Sequence, residues 1–298
     1  MRILVTGATG YLGFRIATAL RRAGHHVIGL TRSPARSRRL WSNEIEPVIG
    51  AIERPESYRA IAAGCAVAVH AAVDCEADVF AIDRLAVETL LAAGPDLLVY
   101  TSGLWIYGAT GRTAVDERSP IAPVARVRRR PEMEQLALSG AGGVRGVVFR
   151  PGCAYGGEGG MFGAWFEPLA RGEAPTIVGD GVNHWPLIHV DDLADAYVKA
   201  VESRFAREIF NLNDGSRETV TEMVTAACAA AGFRGAIRYQ PMAEAAETLG
   251  TFAECIVLDQ HLDSSKATRL LGWQPRMKGF ADQASVYYEA WKAARTSS

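Results

Sequence analysis

This chain of 298 residues lacks paired cysteines, an excess of charge of either sign and long apolar runs. Its five cysteines are scattered, odd in number and without C-x-x-C spacing, which argues against a disulfide framework or a structural zinc site. We therefore expect no bound metal and a reducing, cytoplasmic setting. The cysteines are Cys65, Cys75, Cys153, Cys228 and Cys255.

Charge and hydropathy exclude further classes of function. The 32 basic and 33 acidic residues leave a net charge of −1, so no general attraction to nucleic acid or to an anionic membrane is expected. No stretch reaches the roughly 20 consecutive apolar residues of a membrane-spanning helix. A strand-like run starts almost directly after Met1, so we also expect no signal peptide. The expected partner is a small-molecule substrate.

The first half of the chain alternates short β-rich runs with helical stretches. Because the runs are apolar throughout, they are typical of a parallel sheet that is covered by helices on both faces. Ligands of such sheets bind beyond the carboxyl ends of the strands, where the winding direction reverses. The predicted strands are 3–5, 27–30, one within 47–52, 66–70, 97–100 and 144–149, with helices at 12–23, 79–93 and 133–139.

The pattern changes after Arg150-Pro151, where the sequence becomes irregular and rich in glycine. Short strands are expected at 187–190 and 209–212, with helices at 193–202, 220–231 and 282–294. We predict a dinucleotide-binding domain over 1–150 and a smaller substrate lobe over 151–298, with returning segments that pack on the sheet. A cleft would separate the two.

A glycine-rich loop joins the first strand to the first helix. Gly7, Gly10 and Gly13 are spaced for a tight turn, close approach of a pyrophosphate and close helix–strand packing. The N–H groups and the positive dipole end of the helix would then face the phosphates. The fold class predicted is α/β, a Rossmann-type doubly wound parallel sheet with a smaller C-terminal substrate lobe.

The end of the second strand indicates which dinucleotide binds. An NAD site has an acidic residue there for the ribose 2′-hydroxyl, whereas a 2′-phosphate favours a cation. This chain has Arg32 at that point and Arg36 one turn later, with no acidic residue before Glu44. A phosphate beside Arg32 would gain charge-assisted hydrogen bonds. We expect NADP(H), with NAD(H) as the weaker alternative.

Further motifs follow in order along nearly the whole chain. They are His70-Ala71-Ala72, 100–108, 150–156, Gly179-Asp180-Gly181, 189–194, 263–267 and Leu270-Leu271-Gly272-Trp273. Together with the glycine loop they resemble the extended short-chain dehydrogenase/reductase superfamily, which contains nucleotide-sugar epimerases, dehydratases and flavonoid-type reductases. The loop and this resemblance imply the following cofactor-binding residues: Gly7, Thr9, Gly10, Tyr11, Leu12, Gly13, Arg32, Arg36, His70, Ala71, Ala72, Thr101 and Pro151.

The chain departs from that superfamily at its proton donor, a Tyr with a Lys four residues later. No tyrosine stands between Tyr107 and Tyr155. Alignment on Glu134 puts Arg126 at the tyrosine position and Arg130 at the lysine position. Pro131 is tolerated only at the start of a helix, so we expect Arg126 and Arg130 in a loop or distorted turn before it.

The substrate-facing positions also differ from the superfamily pattern. Its catalytic Ser or Thr falls at Gly103, which leaves Ser102 as the nearby hydroxyl; this hydroxyl either contacts substrate or satisfies backbone groups. Trp185 stands where nucleotide-sugar members carry a phosphate-binding Arg, which favours a small apolar or aromatic substrate. Trp105, Tyr155 and Trp185 are the predicted substrate-binding residues.

The missing motif leaves the proton donor open. An arginine is a poor acid because its pKa exceeds about 12, although it stabilises a developing oxyanion. Tyr107 is the first candidate donor, if its pKa were lowered, followed by Tyr155 and His184. The predicted catalytic set is Ser102, Tyr107, Arg126 and Arg130.

Three functions remain open from the sequence. The first is an NADP(H)-dependent oxidoreductase that acts on a small carbonyl or alcohol. The second is a non-redox enzyme of the same fold, such as an isomerase, dehydratase or cyclase. The third is a non-catalytic protein that senses NADP or binds a partner.

The resemblance also implies a possible homodimer. It would form through the helix 79–93 and the helix after Pro131.

Overall fold

A computed structural model describes residues 1–73 and 79–296. Cys75 lies outside the described residues, and the other four cysteines are free and buried. The strands are β1 (Arg2–Thr6), β2 (His26–Thr31), β3 (Glu46–Ile49), β4 (Val67–His70), β5 (Leu97–Thr101), β6 (Ala114–Val115), β7 (Arg145–Pro151), β8 (Cys153–Tyr155), β9 (Thr176–Val178), β10 (Leu187–His189), β11 (Glu208–Leu212), β12 (Arg238–Gln240) and β13 (His261–Leu262). The helices are α1 (Tyr11–Arg22), α2 (Pro34–Trp41), α3 (Arg59–Ala63), α4 (Val79–Ala93), α5 (Arg130–Ala137), α6 (Gly163–Ala170), α7 (Val190–Glu202), α8 (Val220–Ala230), α9 (Met242–Leu249), α10 (Phe252–Ile256), α11 (Ser265–Leu271) and α12 (Ala284–Thr296).

Seven parallel strands form the central sheet, in the order β11-β7-β5-β4-β1-β2-β3. The chain winds away from β1 in both directions, through β2 and β3 on one side and through β4, β5 and β7 on the other. The winding therefore reverses between β1 and β4, and ligands of such sheets bind beyond the strand ends at this point. The predicted doubly wound α/β fold is confirmed.

Both faces of the sheet are covered because successive side chains of a strand point to opposite sides. On β1, Ile3 and Val5 pack with residues of α1 and α7, whereas Leu4 packs with residues of α4 and α5. All three side chains are fully buried. The apolar runs of the sequence thus correspond to strands that are buried on both faces.

The C-terminal half contributes to the sheet and also forms a core of its own. β11 pairs with β7 and extends the sheet at that edge, and α7 packs beside α1. A separate aromatic cluster, which includes Phe162, Trp165, Trp185, Phe280 and Trp291, lies between α6, α8 and α12.

Two helix starts show how local sequence sets the element boundaries. α5 starts at Arg130 with Pro131 in its first turn, and Arg126 lies in the preceding 3₁₀ turn 125–127. The helix start near Pro131 and the place of Arg126 before it are as predicted. Arg130, which was expected in the loop, is instead the first residue of α5. α7 is capped by the ring of His189, which accepts from the backbone N–H of Asp191. Asp192, in the first turn of α7, accepts from two backbone N–H groups of the 276–277 segment.

Candidate functional site

Two adjoining cavities open at the point where the sheet winding reverses. One, of about 760 Å³, lies over the loop between β1 and α1, and we call it the glycine-loop cavity. The other, of about 820 Å³, is lined by Arg126, Arg128 and Arg130, and we call it the arginine cavity. Both are lined by Tyr11 and Leu12, at the start of α1. An elongated ligand can therefore extend from one cavity into the other.

The glycine loop has the close packing that a dinucleotide site needs. Gly7 has a φ of +72°, and a Cβ there would lie 2.7 Å from the carbonyl oxygen of Ala71. A Cβ on Gly13 would lie 2.1 Å from the carbonyl oxygen of Gly7. No side chain of the described residues caps the first turn of α1, so its N–H groups are available to a phosphate. The loop fits a pyrophosphate.

Most predicted cofactor residues come together around the glycine-loop cavity. Arg32 and Arg36 lie at its far end, after β2, where Ser33 caps α2 by accepting from the N–H of Arg36. Both arginine side chains are exposed. Glu53 is the acidic residue among the described lining residues. The predicted residues that line this cavity are Gly7, Thr9, Gly10, Tyr11, Leu12, Gly13, Arg32, Arg36, Ala71 and Ala72; Pro151 lines the arginine cavity.

His70 and Thr101, also predicted to contact the cofactor, lie behind the cavities within the sheet. His70 Nδ1 is 2.7 Å from the hydroxyl of Thr6, and its Nε2 is 2.9 Å from a carboxylate oxygen of Asp83. The hydroxyl of Thr101 donates to the carbonyl of His70 and lies 2.6 Å from the hydroxyl of Tyr197. Their side chains join strands and helices to one another.

A buried chain of hydrogen bonds runs from His70 to the arginine cavity. Tyr100 donates to Asp83 over 2.6 Å, and Arg130 Nη1 donates to the Tyr100 hydroxyl and to the carbonyl of Thr101, each over 3.2 Å. Burial would raise the pKa of Asp83, but its bonds to His70 and the charge of Arg130 hold that pKa below its ordinary value. Arg130 is therefore held by two groups of β5, and Asp83 of α4 in turn holds the Tyr100 hydroxyl.

Arg130 remains a cation in this setting. Burial would lower the pKa of its guanidinium, but Tyr100 and Asp83 beside it raise that pKa above the ordinary value. Arg126 is exposed and lies over the ring of Phe252, with 5.4 Å between the guanidinium carbon and the ring centroid. The two arginines thus occupy different parts of one cavity.

Ser102 lines the arginine cavity and has a buried carboxylate behind it. Its hydroxyl donates to Glu134 over 2.5 Å, and Arg150 forms two hydrogen bonds to the same carboxylate, of 2.9 and 2.5 Å. Arg150 also donates to the Tyr107 hydroxyl over 2.7 Å, and Tyr107 donates to Asn211. The group forms a continuous buried network.

Tyr107 does not have the properties that the sequence analysis required of a proton donor. Burial raises the pKa of its hydroxyl despite the nearby charge of Arg150. It is also absent from the described residues that line either cavity. A raised pKa leaves this tyrosine protonated and bonded within the network, where it supports Arg150.

Of the predicted substrate residues, the structure brings Trp105 to the arginine cavity. Tyr155 is fully buried in the aromatic cluster and donates to Asp214 over 3.0 Å. Trp185 stacks on Trp165, with 5.4 Å between the ring centroids, and its indole N–H donates to the carbonyl of Ile256. Tyr155 and Trp185 are therefore core residues of the aromatic cluster, away from the described cavity lining.

His184, the remaining candidate donor, lies in a cluster with Asp259 and His261. Its Nδ1 is 2.8 Å from Asp259, and the ring centroid of His261 is 4.8 Å from its own. Burial and the neighbouring His184 lower the pKa of His261. His184 is not among the described residues that line the two cavities.

Two buried charges that support this site, Asp83 and Arg150, were not predicted from the sequence. Asp83 lies on the buried face of α4 with Ala86, Val87 and Leu90, and Arg150 directly follows the apolar run 147–149 of β7. A lone charge in an apolar run signals a buried partner, because an unpaired buried charge is costly. That signal was present in the sequence, but it does not say which residue is the partner.

The fold and cavities define an α/β protein whose glycine loop fits the pyrophosphate of a dinucleotide, with an adjoining pocket. The family model of the NAD dependent epimerase/dehydratase family matches residues 3–212. The chain therefore belongs to the NAD dependent epimerase/dehydratase family, a group within the superfamily that its motifs resemble.

Individual relatives are named for different reactions. The chain is 30% identical over 311 residues to a 3-diazoavenalumate denitrifying reductase of Streptomyces, covering 95% of this chain and 98% of the relative. It is 26% identical over 319 residues to a UDP-glucose 4-epimerase of Mycolicibacterium smegmatis, covering 93% and 94%. A UDP-glucose 4-epimerase of Thermus thermophilus in complex with NAD has a similar fold, with a TM-score of 0.82 at 23% identity, covering 99% of this chain and 100% of that one.

Proposed function

We propose that the chain is a cytoplasmic NADP(H)-dependent oxidoreductase that acts on a small carbonyl or alcohol without a nucleotide group. The observation that carries the proposal is the junction of the two cavities at Tyr11 and Leu12. A dinucleotide with its pyrophosphate on the glycine loop would place its 2′-end at Arg32 and its other end at the arginine cavity. The reductase names of several relatives support the redox assignment.

The preference for NADP(H) rests on the end of β2. Arg32 and Arg36 both line the glycine-loop cavity there, and the segment between them contains no carboxylate. A guanidinium makes charge-assisted hydrogen bonds to a phosphate, whereas it offers little to a ribose hydroxyl. The preference for a non-nucleotide substrate rests on Trp185, which is packed into the core where nucleotide-sugar members of the superfamily carry an arginine.

Residues of this chain would stabilise the transition state from two sides. When bound, NADP(H) supplies or accepts the hydride. Arg130, a fixed cation, would stabilise the negative charge that develops on the substrate oxygen. Ser102 would direct its hydroxyl to the same oxygen, exchanging its bond to Glu134 for one to the substrate. The alcohol proton would come from solvent, because the described residues that line the arginine cavity include no histidine, aspartate or glutamate.

One observation favours the binding protein as a second candidate function. The described residues that line the arginine cavity include one tyrosine, Tyr11. They include no histidine, aspartate or glutamate. Burial raises the pKa of Tyr11, and its hydroxyl donates to the carbonyl of Gly156. A protein that uses the cofactor only to set the shape of a binding surface has no need for a neutral-pH acid.

Cofactor binding is the first test. We expect tight NADPH binding and weaker NADH binding, followed by energy transfer from tryptophan to the reduced nicotinamide; Trp105 in the arginine cavity is a suitable donor. Arg32→Ala should remove most of the difference between the two nucleotides. The matched control is Arg38→Ala, an exposed arginine on α2 outside the described cavity lining.

Two outcomes would change the conclusion. If neither nucleotide binds at micromolar concentration, the oxidoreductase proposal fails. If NADPH binds but a screen of small carbonyls and alcohols shows no turnover, the binding-protein function replaces it.

A further inference from the structure

The described residues that line the arginine cavity combine apolar side chains with the positive charges of three arginines. Arg126, Arg128 and Arg130 line it, and the described residues of its lining include no aspartate or glutamate. Phe80, Leu104, Trp105 and Met161 are among the apolar lining residues. A neutral apolar substrate would explain the walls but leaves the arginines without a ligand.

The three arginines differ in the contacts that their side chains make with the rest of the protein. Arg130 donates to Tyr100 and to the carbonyl of Thr101, so it is part of the site's internal network. Arg126 contacts the ring of Phe252, and Arg128 is exposed. Within residues 1–73 and 79–296, neither Arg126 nor Arg128 forms an ion pair with a carboxylate.

Arg126 and Arg130 contact different neighbours around the arginine cavity. Arg130 starts α5 next to Tyr100 and near Ser102, whereas Arg126 lies in the 3₁₀ turn before it and faces α10. The apolar residues between these points would hold the body of a substrate. A guanidinium beside such apolar walls binds an anion more strongly than one in open water.

We infer that the substrate is an apolar or aromatic carbonyl compound with a carboxylate, and that Arg126, assisted by Arg128, binds this carboxylate. The planar fork of a guanidinium matches the two oxygens of a carboxylate. Arg126 is thus a specificity-determining residue, and Arg130 stays with the carbonyl that reacts. This inference rests on the proposed oxidoreductase function for its carbonyl end and on the lining of the cavity for its anionic end.

A binding experiment tests the anionic end without turnover. Benzoate and benzamide, which have nearly the same shape, are titrated by calorimetry into full-length protein saturated with NADP⁺. We expect benzoate to bind at least about tenfold more tightly, with the difference falling as salt is raised. In Arg126→Gln the difference should fall to about twofold or less, whereas Arg126→Lys should retain part of it.

Control variants separate a local effect from a general one. Arg118→Gln removes an arginine that is exposed, pairs with Asp116 and lies outside the described cavity lining, so it should leave the preference for benzoate unchanged. Thermal unfolding and NADPH binding are measured for each variant, so that a folding defect is recognised. If wild-type protein binds benzamide as tightly as benzoate, or Arg126→Gln keeps the full preference, the inference is overturned.

A turnover experiment then tests the two ends together. Reduction of 4-carboxybenzaldehyde is compared with that of its methyl ester, with NADPH as the hydride donor. We expect kcat/KM to favour the carboxylate at least about tenfold in the wild type and about equal values in Arg126→Gln. If the wild type reduces both aldehydes equally, the inference of a carboxylate site is wrong, whereas the oxidoreductase proposal stands. If NADPH and benzoate bind but neither aldehyde is reduced, the oxidoreductase proposal fails while the anion site stands.

A phosphorylated substrate is the competing source of negative charge. Phenyl phosphate is therefore titrated alongside benzoate under the same conditions. Preference for phenyl phosphate that is lost in Arg126→Gln would overturn the assignment of a carboxylate.

Discussion

At the scale of single residues, Glu134 connects the cavity to the interior of the sheet. It is almost completely buried, accepts from Ser102 and pairs with Arg150, whose side chain is also buried. Removing one partner of a buried ion pair is costly because the other charge stays behind without compensation. The position of Ser102 therefore depends on a pair that lies outside the cavity.

The stability of Glu134→Gln tests this dependence. We expect a loss of about 3–5 kcal/mol in the free energy of unfolding, because Arg150 keeps its charge without a counter-ion. Glu132→Gln is the matched control on the same helix, where the pair with Arg129 is exposed and should contribute less than about 1 kcal/mol. Urea unfolding followed by circular dichroism measures both, and equal losses would contradict the role given to the buried pair.

Asp83 predicts how stability changes with acid. Its pKa in the folded protein lies below the ordinary value, so its contribution is present above the unfolded pKa of about 3.9 and is lost as the pH falls below it. Asp83→Asn should lower stability at neutral pH and flatten the acid limb of a plot of unfolding free energy against pH. A variant with an acid limb as steep as that of the wild type would contradict this account.

At the scale of elements, the loop between β1 and α1 is the best example of close packing. A Cβ at Gly13 would lie 2.1 Å from the carbonyl oxygen of Gly7, which is backbone and cannot turn aside. Helix α1 must therefore move away from the loop in any variant with a side chain there. Its first turn would move with it, away from the position of the pyrophosphate.

Gly13→Ala should accordingly lower both NADPH affinity and stability. We expect a loss of about 1–3 kcal/mol on unfolding, the usual cost of overpacking, and a clear rise in the dissociation constant. Gly103→Ala is the stability control, since a Cβ there meets no atom within 4 Å. Calorimetric unfolding and nucleotide titration give the two readouts; unchanged nucleotide affinity in Gly13→Ala would show that the loop is not the phosphate site.

Elements were easier to predict from the sequence than contacts between them. The strands and the glycine loop follow from apolar runs and turn residues, which act over a few positions, and Pro131 correctly marked the start of α5. The burial of Trp185 against Trp165 and the links of Tyr107 to Arg150 and Asn211 depend on residues far apart in the chain. Patterns of neighbouring residues do not carry that information, so side-chain roles were harder to assign than elements.

At the scale of the whole molecule, the segment 156–160 of the second half contacts the start of α1, next to the glycine loop. Tyr11 donates to the carbonyl of Gly156, and Glu158 forms an ion pair with Arg39 of α2. Arg39 also lies over the ring of Phe14, 3.7 Å from its centroid. Helix α2 and the segment 156–160 are thus joined over the start of α1, beside the glycine-loop cavity.

Glu158→Gln should make NADPH leave faster. The half-exposed ion pair between Glu158 and Arg39 is lost in this variant, so we expect the dissociation rate of NADPH to rise about two- to fivefold. The association rate should change little. Stopped-flow displacement of NADPH measures the dissociation rate. Glu167→Gln, in an exposed ion pair of the second lobe, is the control and should dissociate at the wild-type rate; a Glu158→Gln rate equal to that of the control would contradict the closure.

The position of β11 has a consequence for the protein during its synthesis. This strand completes the sheet beside β7, yet Glu208 follows the end of β7 only after a long intervening stretch of chain. At ribosomal speeds that stretch takes on the order of seconds to emerge. Throughout this interval the nascent chain presents the unpaired edge of β7, which is a template for association with other chains. Slower translation of residues 152–207 would lengthen that exposure, so the yield of native protein depends on how quickly the ribosome reaches β11.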